Sequence, residues 1–116
     1  MSAILARNPN LAGIFASDTA YGQGAATAIQ NAGKTGKVKI VAFDAEPGEV
    51  SDLKRGLIKA LIVQKAYDMG VTAVKDAVAY LSHHKRPPAE WHPSYVIATK
   101  TNVNSPKVKK YLYHQK

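Results

Sequence analysis

Val38-Lys39-Ile40-Val41-Ala42-Phe43-Asp44 carries the plainest strand signal in the chain: a short apolar run rich in β-branched residues and closed by a carboxylate. Two further apolar runs, Leu11–Ala16 and Ala60–Val63, flank it in sequence, and each is followed by a helix-like stretch. Strands alternating with helices predict an α/β fold, a parallel sheet joined by right-handed crossovers with flanking helices. Each run also ends on polar residues: Ser17-Asp18, Asp44 and Gln64. Parallel strands bring their C-terminal ends to one edge, and open α/β sheets take ligands in the crevice outside that edge. These four residues are therefore the candidate ligand-binding set.

The helices follow from spacing and punctuation. Ile4–Arg7 reads as the last turn of a helix, broken by Asn8-Pro9-Asn10. Tyr21–Ala32 is an alanine-rich helix stopped by Gly33. Ala45–Gly48 reads as a loop and Val50–Arg55 as a short helix with Gly56 at its C-cap. Tyr67–Ser82 is the longest helix, with Met69, Ala73, Val74, Ala77, Val78 and Leu81 on an apolar face. A proline-broken connection, His83–Pro93, leads to a separate fourth strand, Tyr95–Ala98. Thr101–Lys116 reads as a polar extension with a short turn at Pro106–Leu112.

The 116 residues suit one small domain with a modest core. No run of about 18 apolar residues occurs, so no transmembrane helix is expected. The absence of cysteine excludes disulfides and thiolate metal sites. The first nine residues lack the basic start and long apolar stretch of a signal peptide. Sixteen basic residues against eight acidic ones give a net charge of +8, concentrated in Lys34–Lys39, His83–Arg86 and Lys107–Lys116. These clusters fall in predicted loops and the tail, without interleaved aromatics, and read as solvated surface; no nucleic-acid partner is expected.

Gly22-Gln23-Gly24-Ala25-Ala26-Thr27, with Asp44 further on, imitates a dinucleotide fingerprint. Thr27 replaces the third glycine, and the glycines come several residues after the strand rather than in a tight turn. The competing reading is that small residues let this helix lie close to the sheet. Asp18 reads equally as a helix N-cap and as an acceptor of ligand hydroxyls. Asp44 suits a turn, and a carboxylate held at a strand end also suits neighbouring hydroxyls, with about 1.5–3 kcal/mol per charged hydrogen bond. The Gln64 amide can donate and accept at once. His83, His84, His92 and His114 show no metal-ligand spacing and read as surface residues. Trp91 and Tyr95 read as cover for the sheet edge, with stacking on a ligand as the alternative. No Ser/His/Asp set or paired carboxylates point to catalysis, and no enzyme, cofactor or metal is expected.

Four segments together resemble the periplasmic sugar-binding proteins of the ribose type. Asn8–Asp18 is similar to their "NP-x-L-x-GIFA" strand, and Ala32–Ala45 to their "AGK-x-GKV-x-VVGFDA" segment. Leu57–Gly70 is similar to "GLIDA-x-VAQ-x-PY-x-MG", and Thr99–Pro106 to "TKENVDSP". The resemblance implies a non-catalytic solute receptor of an ABC sugar importer, acting in the periplasm with a membrane permease as partner. Two lobes of a three-layer, Rossmann-like, type 1 fold would close on a pentose or hexose by hinge motion. Sugar hydroxyls would be bound by Asp44, by Gln64, and by Asp18 or Ser17. The family is roughly two to three times longer, so the resemblance implies that the chain is a partial C-terminal lobe. Residues 4–64 would form its βα units, while residues 65–116, including the helix and the fourth strand, would cross back toward an N-terminal lobe. Such a piece is expected to bind sugar weakly or not at all on its own and to self-associate through open apolar faces. The alternative is the effector domain of a LacI-type transcription regulator, which shares the fold and a "VGFDD" segment; Ala45-Glu46-Pro47 departs from that pattern.

Overall fold

The computed structural model describes residues 1–113. Its elements run α1 (Ser2–Arg7), β1 (Gly13–Ala16), α2 (Thr19–Asn31), β2 (Lys39–Phe43), α3 (Pro47–Arg55), β3 (Ala60–Gln64), α4 (Ala66–His83), β4 (Tyr95–Thr99) and α5 (Pro106–Lys109). The strands form a sheet of order β1-β2-β3-β4, with β1, β2 and β3 parallel and β4 antiparallel to β3. The βαβ alternation read from sequence is thus present. Glycine ends α3 as expected: Gly56 takes a φ of 83° and returns its N–H to the carbonyls of Asp52 and Leu53.

Because consecutive strands are also neighbours, successive right-handed crossovers lay α2 and α3 on the same face of the sheet. The core lies there. Ile40, Ala42, Leu61, Val63 and Ala98 from the strands have no exposed surface, and Ile29 of α2 and Leu53 of α3 close over them. Among the described residues no second helical layer, as a three-layer architecture predicts, covers the opposite face. By strand alternation and register it carries Phe15, Val41, Phe43, Ile62, Gln64, Tyr95 and Ile97. Phe15 and Tyr95 are about 60% exposed there, and Phe15 meets Phe43 edge to face at 6.4 Å.

Several sequence expectations need correction. The loop Ala45–Gly48 is shorter than read, because Pro47 and Gly48 already belong to α3, with Pro47 at the first helical position where its missing N–H is no loss. The apolar face of α4, by contrast, is present as read and lies open: none of its residues is buried, and Val74, Val78 and Leu81 are more than half exposed. The fourth strand does not leave this sheet; its backbone pairs along β3 from Ala60↔Thr99 to Gln64↔Tyr95. It therefore forms the sheet edge rather than needing an aromatic to cover one, and Tyr95 stands beside Gln64. Residues 101–113 are no polar extension either. Val103 and Val108 are buried, and Lys65 and Lys110 sit over the Tyr111 ring at 5.0 and 4.8 Å. His83, His84 and His92 are exposed, whereas His114 lies outside the described residues.

Candidate functional site

The C-terminal edge of β1, β2 and β3 gathers the polar residues read from sequence to different degrees. Asp44 follows β2 directly and adopts a φ of 76°, a left-handed turn conformation that aspartate tolerates better than most residues. Its backbone N–H donates to the Ile62 carbonyl of β3, which fixes the turn against the neighbouring strand. Gln64, the last residue of β3, donates from Nε2 to Asp44 Oδ1 at 2.8 Å. Two of the expected residues are thus joined directly, with their orientations set by each other.

Tyr113 completes this cluster and escaped the sequence reading. Its hydroxyl donates to the same Asp44 Oδ1 at 3.0 Å, and its backbone N–H donates to the Ala45 carbonyl. Burial, reinforced by the hydrogen bond and the charge of Asp44, pushes its phenol up to about 12. Sixty-nine residues separate the two partners, and no local pattern announces a contact of that span. Tyr113 also lines a groove of about 590 Å³ beside the edge, between α3 and the C-terminal segment, together with Ser51, Lys54, Arg55, Asn104 and Lys109.

Asp18 acts as the N-cap of α2, its Oδ1 accepting from the Ala20 N–H at 2.8 Å. Ser17 and Asp18 are exposed. Neither hydrogen-bonds to Asp44 or Gln64 among the described residues. The link from Asp18 to the rest of the edge is indirect. Its neighbour Thr19 donates from Oγ1 to Oε2 of Glu49 at 3.0 Å, bridging α2 to α3. Glu49 is fully buried, and its burial pushes the carboxyl up to about 7, against the Thr19 hydroxyl and the Glu46 N–H, which favour the charged form. Asp44 and Asp18 add electrostatic repulsion in the same direction as burial.

The glycines of the fingerprint-like segment divide in meaning. A Cβ on Gly22 would stand 2.6 Å from Glu49 Oε1 and 3.0 Å from the Ala42 Cβ, so this glycine lets α2 approach β2 and α3. Among the described residues nothing lies within 4 Å of a Cβ on Gly24. The close-packing reading therefore holds at Gly22.

The comparisons with known proteins agree with this architecture. Residues 1–85 match the family model described as a periplasmic binding protein domain. The D-allose-binding periplasmic protein of Escherichia coli strain K12 is 38% identical over 72 residues, covering 62% of this chain and 23% of that protein. The D-apiose import binding protein of Actinobacillus succinogenes is 37% identical over 82 residues, covering 70% of this chain and 26% of that protein. Among solved structures, an ABC transporter solute-binding protein from Agrobacterium vitis bound with α-D-tagatopyranose superposes with a TM-score of 0.89 at 37% identity. That match covers 97% of this chain and 38% of the other. The chain thus spans about a quarter of the length of these curated relatives. The relatives are sugar-binding solute receptors, and they lend the transcription-regulator alternative no support.

Proposed function

This chain belongs to the periplasmic binding protein family, and on that premise we propose that it forms one wall of a monosaccharide site in the substrate-binding component of an ABC sugar importer. The observation that carries the reading is the Gln64–Asp44 hydrogen bond at the C-terminal edge of two adjacent parallel strands. It presents a carboxylate and an amide in fixed relative orientation. Among the described residues both side-chain hydrogen bonds to the Asp44 carboxylate fall on Oδ1, so Oδ2 is the oxygen offered to a sugar hydroxyl. The remaining Gln64 N–H and its carbonyl serve a neighbouring hydroxyl. Asp18, or Ser17 beside it, supplies a third contact from the end of β1.

The role is non-catalytic and periplasmic, in keeping with relatives named as binding proteins. The ligand is a pentose or hexose, and the permease of the importer is the partner of the complete receptor. The exposed apolar sheet face and the exposed face of α4 favour self-association of the chain alone.

The test is an NMR titration of the labelled chain with D-allose, D-apiose and D-tagatose at millimolar concentration. Shifts confined to the amides around Ser17-Asp18, Asp44 and Gln64, and lost in Asp44→Ala, are the expected outcome. Sugars that leave every strand-end amide unmoved, or that act equally on Asp44→Ala, remove the proposal.

A further inference from the structure

Glu49 is the one buried charged side chain among the described residues, and the sugar-site reading gives it no task. It occupies the third position of α3, where a glutamate ordinarily stays ionised, favoured by the helix N-terminus and by reaching back toward the N-cap N–H. Packing overrides that local preference. The carboxyl lies under α2 with Oε2 on the Thr19 hydroxyl, while Oε1 has no hydrogen-bond partner among the described residues. The α2 backbone leans on that unpartnered oxygen at Gly22, where even a methyl group would collide with it. An ionised carboxylate so placed is heavily penalised, whereas a neutral acid is tolerated.

We propose that Glu49 is a proton-linked positioning residue: as a neutral acid it ties the first turn of α2, and with it the Ser17-Asp18 edge, to α3, and on ionisation it loosens that turn and weakens ligand capture. The ligand half of this proposal rests on the sugar-site reading above. The charges that bear on Glu49 are both acidic, Asp44 after β2 and Asp18 ahead of α2; Glu46 at the head of α3 acts through its backbone N–H, and the Tyr113 phenol is bonded to Asp44. Once ionised, Oε1 needs a hydrogen-bond donor, and water admitted beside the side-chain-free Gly22 supplies it only by parting α2 from α3. A neutral sugar drying the Asp18 and Asp44 carboxylates strengthens their field at Glu49, so capture draws a proton onto it.

The sign follows from linkage. The Glu49 carboxyl titrates at about 7 when folded against 4.5 for its ordinary value, so the unfolded chain releases its proton first. The contribution to stability is fully kept below about pH 4.5, is lost progressively to about pH 7, and stays at its lower level above that.

The experiment follows the Glu49 carboxyl carbon by NMR in the full chain without sugar, alongside the amides of residues 18–22. The expected result is a midpoint near neutrality, shared by those amides, with the amide response absent in Glu49→Gln. Thr19→Val, which keeps the acid but removes its tether, is expected to decouple the amides from a carboxyl that still titrates. It serves as the second arm if Glu49→Gln fails to fold. A carboxyl titrating in the ordinary range, or amides blind to its titration, overturns the proposal. With D-allose, affinity is expected to fall between about pH 6 and pH 8 by no more than about tenfold per pH unit, the limit for one linked proton. Binding that is independent of pH overturns the ligand half alone. Binding absent at every pH overturns the sugar-site reading and the ligand half together, while the sugar-free titration still decides the proton half.

Discussion

At Gly22 and Gly24, two glycines of one helix turn, the same substitution has opposite expected effects. Gly22→Ala pushes a methyl group against the Glu49 carboxyl and the Ala42 Cβ, both buried, and should destabilise by about 1–3 kcal/mol. Gly24→Ala meets nothing and should stabilise by about 0.5–1 kcal/mol through better helix propensity. Urea unfolding of both variants checks the pair; equal effects would contradict the close approach at Gly22. Asp44 and Gln64 were legible in sequence because each terminates an apolar run, and the end of a parallel strand is a place known before any coordinates are. Tyr113 was not, because its partner is remote and its surroundings read as a basic tail. Glu49 was hidden by a sound default: a charged residue in the first turn of a short helix is normally solvated.

Among the elements, α4 separates what periodicity reveals from what it leaves open. Its repeat was read correctly as helix, with ends one residue from those observed. The repeat marks an apolar face but says nothing of what lies against it, and in this chain α4 buries no residue. By contrast Leu61, on the helix-covered side of β3, has no exposed surface. Replacing Val74 and Val78 together by lysine should leave the unfolding free energy of the monomer within about 0.5 kcal/mol per site, whereas Leu61→Ala should cost about 2–5 kcal/mol. The lysine pair should also shift the sedimentation profile toward monomer. Early unfolding of the α4 variant would mean that its apolar face is packed after all.

The molecule as a whole measures 58 × 31 × 22 Å, with a radius of gyration of 17.7 Å. A compact chain of this length has a radius near 13 Å. The excess reflects a one-sided sheet and an arm that packs poorly against it. The parallel part, β1 to β3, was legible because each βα unit is local, short and punctuated. The antiparallel return of β4 was not, since a strand reached after a long proline-broken stretch can join a sheet at any edge, and sequence holds no register for it.

That return has a kinetic consequence. Gln64 and Tyr95 are cross-strand partners, and a two-residue Asn-Gly turn would suffice to join them. The chain instead closes a loop through residues 65–94 before β4 can dock, and each doubling of loop length adds about 0.6 kcal/mol of closure entropy. Docking of β4 is therefore expected to be the late step of folding, after the β1–β3 units have condensed. A chain in which Asn-Gly replaces residues 65–94 shortens the loop by about four doublings, so it should refold faster, by up to about fiftyfold in stopped-flow measurements. An unchanged rate would place β4 outside the rate-limiting step. On this view the arm is an excursion threaded between two neighbouring strands, one that slows the assembly of the sheet it interrupts.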